Sequence, residues 1–213
     1  MSTDTSAISG YVISYFSSLI EQYGSQAAGV GWNGDASQIL RFEQLVKIIT
    51  QGPEETFSIT DLGCGYGALL PFLRGRFRSF AYVGCDISSG MIEAAKKEHH
   101  LETDAEFCVS ATPVRETDYV VASGIFNVKG EFDPGTWETY IKKTLDTMHA
   151  YATKGFSFNI LTKYSDADKM RDDLYYADPC ELFDICKRKY SRNVSILHDY
   201  DLYDFTVLVR KFP

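Results

Sequence analysis

The sequence predicts an α/β fold in three layers, with a seven-stranded, mostly parallel sheet between helices and a C-terminal antiparallel hairpin. Short apolar segments alternate with helical segments from FSITDLG to KGFSFNIL, which is typical of a parallel sheet covered on both faces. The last two strands follow each other without a helix between them, which indicates an antiparallel pair. A length of 213 residues suits a single domain over residues 1–213.

Residues 1–50 are predicted to form helices in front of the sheet. Residues 8–23 carry apolar side chains at helical spacing. The glycine-rich segment QAAGVGWNGDAS follows as a loop, and Asp35 or Ser37 is expected to cap a second helix that runs to about Ile49. The segment GPEE then breaks that helix before the sheet begins.

Seven segments are predicted to be strands because they are short, apolar and rich in β-branched or aromatic residues. They are FSITDLG, SFAYVGCD, AEFCVS, DYVVASGIF, KGFSFNIL, NVSILHDY and YDFTVLVRKF, the last two joined by a turn near Asp201. Helices are predicted after the first strand and over SSGMIEAAKKEHH, DPGTWETYIKKTLDTMHAYAT and ADPCELFDICKRKY. Ser88 or Ser89 is the expected cap of the first of these named helices, and Asp178 that of the last.

The composition limits the classes of partner. With a net charge of −8 the chain repels phosphate backbones, so no nucleic-acid partner is expected. No apolar run is long enough to span a bilayer, so no membrane partner is expected. Five scattered cysteines without CxxC or Cys/His spacing favour reduced thiols over a metal site. The polar N-terminus lacks the regions of a signal peptide, and the protein is therefore expected to be cytoplasmic.

The most informative segment is ITDLGCGYGALL, which places glycines at positions 63, 65 and 67 directly after a predicted strand. Glycines at such a turn let a ligand approach backbone N–H groups. The segment fits both the dinucleotide pattern G-x-G-x-x-G/A and the pattern G-x-G-x-G. In either case Asp86, at the end of the second strand, is placed to accept hydrogen bonds from two ribose hydroxyls.

Asp61 distinguishes the two possibilities. A carboxylate at the mouth of the first strand would repel a pyrophosphate, whereas it would attract a ligand that carries an ammonium and a sulfonium. S-adenosylmethionine is a ligand of this kind. The residues therefore favour S-adenosylmethionine over a dinucleotide as the cofactor.

At this point the sequence resembles the class I S-adenosylmethionine-dependent methyltransferases. ITDLGCGYG is similar to their first motif, YVGCDISSGMIEAAKK to their second and DYVVASGIFN to their fourth-strand motif. The C-terminal antiparallel hairpin is the topological mark of that family. The resemblance implies a Rossmann-like fold, S-adenosyl-L-methionine as cofactor and methyl transfer as the reaction.

The resemblance also implies a set of cofactor contacts. It places Asp86 on the ribose, Met91 under the adenine, and Ser110 with Ala111 where the family often has an acidic residue for the adenine amino group. Arg41 is either a contact of the ligand's carboxylate or a solvated helix residue. The full set of cofactor-binding candidates is Arg41, Asp61, Gly63, Cys64, Gly65, Asp86, Ile87, Met91, Ser110, Ala111, Ser123, Gly124 and Ile125.

Methyl transfer from a sulfonium mainly requires that two reactants be held in line and that water be excluded. A base is needed only if the acceptor is an amine or a hydroxyl, and the catalytic candidates are Asn127, Tyr164 and His198. The irregular segment 161–179 is expected to act as a substrate lid. The substrate-contact candidates are Trp32, Asn127, Tyr164, Tyr175 and Tyr176.

The acceptor is expected to be a small molecule, because the chain is acidic and carries no signature of DNA adenine or protein glutamine methylation. Two alternatives remain open at the level of sequence. One is an NAD-dependent oxidoreductase, and the other is a non-catalytic module that binds S-adenosylmethionine. The protein is expected to be a monomer or a homodimer.

Overall fold

Seven strands form a single sheet in the computed structural model of the chain, which describes residues 3–26, 29 and 34–211. Each strand overlaps one of the seven segments that the sequence predicts, although the strands over Thr117–Ala122 and Ala152–Leu161 begin one and two residues earlier than predicted. The strands are β1 (Phe57–Leu62), β2 (Phe80–Asp86), β3 (Ala105–Val109), β4 (Thr117–Ala122), β5 (Ala152–Leu161), β6 (Asn193–Leu197) and β7 (Asp204–Arg210).

The order of the strands in the sheet is β3-β2-β1-β4-β5-β7-β6. β7 pairs antiparallel with both β5 and β6, and all the other neighbouring pairs are parallel. Six strands therefore run in one direction and β7 runs against them. This topology confirms the predicted mostly parallel sheet with a C-terminal antiparallel hairpin.

The helices lie where the apolar periodicity predicts them. They are α1 (Thr3–Tyr23), α2 (Asp35–Leu45), α3 (Leu69–Arg74), α4 (Ser89–Glu98), α5 (Pro134–Tyr151) and α6 (Pro179–Lys189), and a short 3₁₀ turn over Val46–Ile48 extends α2. The side chains of Ser88, Asp133 and Asp178 accept hydrogen bonds from the first backbone N–H groups of α4, α5 and α6.

The prediction that Asp35 or Ser37 caps α2 is wrong. The residue before this helix is Gly34, and no side chain makes the capping hydrogen bond. The hydroxyl of Ser37 instead donates to the carbonyl of Gly34 at 2.9 Å, because Ser37 already lies within the first turn.

Helices cover both faces of the sheet and bury two separate apolar cores. On one face α5 and α6 pack against the sheet, with Trp137, Ile141 and Leu145 at the centre of the core. On the other face α2, α3 and α4 pack against the sheet, and Leu45 and Leu73 are fully buried there. The three-layer architecture predicted from the sequence is thus confirmed.

The sheet reverses its strand order between β1 and β4. From β1 the chain proceeds outward through β2 to β3 and then returns to β4 on the other side of β1. The return connection, residues 110–116, is seven residues long and contains no helix. In open α/β sheets a ligand binds in the crevice at the carboxyl ends of the strands where the order reverses. The carboxyl ends of β1 and β4 are therefore the place to look for the functional site.

The segment 161–179 crosses this carboxyl edge. An isolated bridge between Leu174 and Val128 holds it to the β4 loop, and a second bridge, between Thr162 and Ala177, joins the two ends of the segment to each other. Trp32, one of the predicted substrate contacts, lies outside the described residues. None of the described helices is both long and apolar enough to cross a membrane.

Candidate functional site

A cavity opens at the carboxyl ends of β1, β2, β3 and β4, and we call it the glycine-loop cavity. The structure brings together at this cavity every predicted cofactor residue except Arg41. They are Asp61, Gly63, Cys64, Gly65, Asp86, Ile87, Met91, Ser110, Ala111, Ser123, Gly124 and Ile125. Residues from four strand ends that are far apart in sequence thus form one continuous wall.

The glycine loop after β1 has a backbone that only glycine adopts readily. Gly63, Gly65 and Gly67 all have positive φ angles, of 75°, 54° and 82°. A Cβ atom on Gly63 would lie 2.2 Å from Cγ2 of Ile125. The glycine at position 63 is therefore required by close packing against the β4 loop as well as by its backbone conformation.

Asp86 fixes the loop to the end of β2. Its Oδ2 atom accepts a hydrogen bond from the N–H of Gly65 at 3.0 Å, and its Oδ1 atom accepts one from the N–H of Ser88 at 2.8 Å. Burial raises the pKa of Asp86, and the backbone hydrogen bonds oppose that rise. Because each carboxylate oxygen can accept more than one hydrogen bond, Asp86 keeps acceptor capacity toward the cavity.

Asp61 lies at the inner end of the same cavity and is only 3% exposed. The hydroxyl of Tyr82 on β2 donates a hydrogen bond to its Oδ2 atom at 2.8 Å. Burial, with a contribution from the charge of Asp86, raises the pKa of Asp61 to about 7 against the opposing effect of the Tyr82 hydrogen bond. A buried carboxyl group of this kind becomes a strong partner for a cation that enters the cavity.

The β3 loop supplies a polar wall. The hydroxyl of Ser110 donates to the carbonyl of Thr112 at 2.6 Å and accepts from the N–H of Thr112 at 3.2 Å. The backbone N–H of Ser110 donates to the carbonyl of Asp86 at 2.8 Å. The hydroxyl hydrogen of Ser110 is thus already used within its own loop, and the side chain can offer a ligand only an acceptor.

Three helices contribute lining residues that the sequence did not identify, each as a pair four positions apart. They are Val12 with Phe16 on α1, Gln38 with Phe42 on α2, and Tyr140 with Thr144 on α5. Residues at this spacing share a helix face, which is the signal that the sequence did contain. Tyr66, within the glycine segment itself, also lines the cavity and donates its hydroxyl to Gln38 at 3.3 Å.

A second cavity adjoins the first beneath the segment 161–179, and we call it the lid cavity. Phe16 and Gly124 line both cavities, so the two meet at these residues. The walls of the lid cavity come from α1, α2, the β4 loop, the segment 161–179 and the turn between β6 and β7.

Arg41 lines the lid cavity, outside the glycine-loop cavity where it was predicted. It is only 8% exposed, so the alternative of a solvated helix residue is wrong. Its guanidinium forms an ion pair with Asp204 at the start of β7 and donates to the carbonyl of Ser37 at 3.0 Å. The reason for the difference is that α2 turns this side chain inward, toward the sheet.

The predicted substrate and catalytic residues divide into two groups. Asn127, Tyr176 and His198 line the lid cavity. Tyr164 is 62% exposed, lines neither cavity, and lies with its ring centroid 6.3 Å from that of His198. Tyr175 also lines neither cavity, because its ring packs on the core and its hydroxyl interacts with Glu138 of α5.

Comparison with known proteins identifies the family. A family model described as a methyltransferase domain matches residues 60–155. Rv1506c of Mycobacterium tuberculosis, a protein named as a methyltransferase, is 55% identical over 157 residues, which cover 74% of this chain and 95% of that protein.

Solved structures share the fold at low sequence identity. The complex of DhpI with S-adenosylhomocysteine (SAH) has a TM-score of 0.65 at 15% identity and covers 97% of this chain and 98% of its own. Magnesium protoporphyrin IX methyltransferase (ChlM) from Synechocystis PCC 6803 with bound SAH has a TM-score of 0.64 at 13% identity and covers 97% and 100%. The 55% identical relative, the strand order of the sheet and the glycine-loop cavity at the point where that order reverses all agree. The chain belongs to the class I S-adenosylmethionine-dependent methyltransferases.

Proposed function

We propose that this methyltransferase acts on a small-molecule acceptor that binds in the lid cavity. The observation that carries the proposal is the junction of the two cavities at Phe16 and Gly124. A cofactor held in the glycine-loop cavity and an acceptor held in the lid cavity would face each other there. In-line transfer requires that arrangement of the two reactants.

The residues of the glycine-loop cavity fit S-adenosylmethionine. Asp86 offers acceptor capacity to ribose hydroxyls, and Asp61 offers a buried carboxyl group to an ammonium. The bound cofactor supplies a methyl group on a sulfonium, which transfers while the electron pair of the broken carbon–sulfur bond stays on sulfur. Apolar side chains such as Ile87, Met91 and Ile125 provide the surface for the adenine ring.

The segment 161–179 is proposed to act as the lid of the acceptor site. Arg171 of this segment interacts with the hydroxyl of Tyr15 on α1, and Asp166 accepts a hydrogen bond from Tyr203 in the β6–β7 turn. The segment is therefore tied to elements on two sides of the lid cavity. Such contacts support a role in excluding water from the junction with the glycine-loop cavity.

Of the three catalytic candidates, we favour His198 as the group that takes a proton from an amine or hydroxyl acceptor. It lines the lid cavity, and an unprotonated imidazole nitrogen is a base. Asn127 lines the same cavity, but an amide is not a base, and its Oδ1 atom already accepts from the N–H of Leu161 at 3.2 Å. Asn127 is better suited to hold the start of the lid in place.

Two further observations support a small acceptor over a macromolecule. The net charge of −8 disfavours nucleic acid. The lid segment bridges across the lid cavity, which suits a compact molecule better than a polymer. We propose that the domain over residues 1–213 binds both cofactor and acceptor.

The experiment that tests the proposal is a transfer assay with a methyl-labelled donor and a metabolite extract. The extract is split into a fraction of small molecules and a fraction of macromolecules, and label is followed in both. The proposal expects label in the small-molecule fraction, and loss of that label when Phe16→Trp fills the junction of the cavities. Label confined to protein or RNA would contradict the proposal, and absence of any transfer despite cofactor binding would favour a non-catalytic module.

A further inference from the structure

The charged groups that line the lid cavity are mostly basic, although the chain as a whole is acidic. Arg41, Lys169 and Arg171 line it, against the single carboxylate of Asp201 among the residues that the structure describes. The chain carries 29 acidic and 21 strongly basic residues, so this balance is the reverse of the average. A cavity whose charge opposes that of its protein is a specific feature, because it concentrates ions of one sign.

The acidic residues of the lid segment do not themselves line the lid cavity. Five aspartates occur in the segment, at positions 166, 168, 172, 173 and 178, and none of them lines the lid cavity. Asp166 bonds with Tyr203, and Asp172 and Asp173 line a different surface cavity beside α1. Asp168 and Asp173 nevertheless pair with Lys169 and Arg171, so an anionic ligand has to displace these two carboxylates.

The two lid cations can exchange their present partners for a ligand. Lys169 pairs with Asp168 at 3.2 Å, and Arg171 pairs with Asp173 two residues away. The Lys169 and Arg171 side chains are each 60% exposed, and pairs of this kind contribute little free energy. Arg41 differs from these two cations, because its partner Asp204 is fully buried. Arg41 therefore shapes the wall of the lid cavity and offers little charge to a ligand.

We propose that the methyl acceptor is a small organic anion, held by a carboxylate or phosphate group at Lys169 and Arg171. The inference rests on the proposed function, since it assumes that the lid cavity holds the acceptor. The aromatic side chains of Tyr15 and Phe16 line the same cavity and contact the apolar part of the acceptor. Gly124 lies at the junction of the two cavities, whereas Lys169 and Arg171 line only the lid cavity, so the methylated atom is distinct from the anionic group.

The test is a calorimetric titration of the complex with SAH, using matched probes. The probes are 3-phenylpropionate and phenyl phosphate as anions, and 3-phenylpropylamine as a cation of similar size. At least one of the two anions should bind roughly tenfold more tightly than the amine. Its affinity should fall as salt is added. The two anions together distinguish a preference for carboxylate from one for phosphate.

Variants complete the test. The double variant Lys169→Met with Arg171→Met should lose the roughly tenfold preference for anions while its affinity for SAH stays unchanged. The matched control is Arg188→Met, which removes an exposed arginine paired with Asp184 on α6, far from the cavity, and should bind the anions as the wild type does. Equal binding of amine and anion, binding of neither anion, or unchanged anion binding by the double variant would overturn the inference. Failure of the wild type to bind SAH would instead overturn the proposed function beneath it.

Discussion

The guanidinium of Arg41 on α2 and the carboxylate of Asp204 on β7 form an ion pair that is buried on both sides, with side-chain exposures of 9% and 0%. The pair joins a helix of one layer to the antiparallel strand beside β5. Burial raises the pKa of Asp204, and the charge of Arg41 opposes that rise. The pair therefore fastens the wall of the lid cavity to the sheet. From the sequence, Arg41 was expected to be either a contact of the ligand's carboxylate or a solvated helix residue.

Removal of one partner of this ion pair should lower the stability of the folded protein. Arg41→Met leaves the Asp204 carboxylate buried without its cation, and the free energy of unfolding in urea should fall by about 3–5 kcal/mol. The double variant with Asp204→Leu should recover much of this loss, because it removes both charges. Arg78→Met is the control, since its pair with Glu54 is exposed, and should change stability by less than about 1 kcal/mol. A loss for Arg41→Met as small as that of the control would contradict the assigned role.

Gly63 provides a second test, at the glycine loop. Gly63→Ala should destabilise the protein by at least about 1–3 kcal/mol, because its φ of 75° disfavours a side chain and the new Cβ would meet Ile125 at 2.2 Å. Thermal unfolding of the variant measures the effect. Gly10→Ala is the contrasting change, since Gly10 lies in α1 with nothing within 4 Å of an added Cβ, and it should stabilise by about 0.5–1 kcal/mol. Similar outcomes for the two substitutions would show that the loop is not constrained as described.

The strands and the cofactor wall were predictable from sequence because each depends on short-range pattern. Apolar segments ending in Asp61 and Asp86 define strand ends, and strand ends meet at one edge of a parallel sheet. Side chains supplied by helices were not predictable in this way. Periodicity identifies an apolar face, but it does not say that Gln38 and Tyr140 face the glycine-loop cavity while Arg41 faces β7 and the lid cavity. The positions of Tyr164 and Tyr175 in an irregular segment carry no periodic signal at all.

Asp61 makes cofactor affinity depend on pH. Its pKa of about 7 means that the carboxyl group is largely protonated below neutral pH in the free protein. An ammonium binds the ionised form better, so affinity for SAH should rise roughly tenfold between about pH 6 and pH 8. Calorimetry at both pH values checks this, and Asp61→Asn should flatten the dependence. An affinity that does not change with pH in the wild type would show that Asp61 does not meet the ammonium.

The same raised pKa affects stability with the opposite sign. Because the folded protein holds a proton on Asp61 that the unfolded chain releases near its ordinary pKa, this group favours folding at low pH. Its contribution is lost as the pH rises through the folded value of about 7. The free protein with Asp61→Asn should therefore lose less stability than the wild type on going from acid to neutral pH, as measured by urea unfolding.

Tyr140 tests the part of the cavity formed by α5. It lines the glycine-loop cavity, and burial together with the charge of Asp86 raises the pKa of its hydroxyl. Tyr140→Phe should weaken SAH binding roughly fivefold, the loss expected for one hydrogen bond of about 1 kcal/mol. Tyr190→Phe is the matched control. The hydroxyl of Tyr190 donates to Asp146 of α5 at 2.8 Å, outside the glycine-loop cavity. Equal affinities for the two variants would remove Tyr140 from the cofactor site.

The central claim is that the cavity at the ends of β1 and β2 binds the cofactor through Asp86. Its most direct test is the dissociation constant of SAH, measured by calorimetry for the wild type and for Asp86→Asn, with NAD as the comparison ligand. The claim predicts that the wild type binds SAH and not NAD, and that Asp86→Asn weakens SAH binding by at least roughly tenfold. Unchanged SAH binding by Asp86→Asn, or binding of NAD in place of SAH, would contradict it.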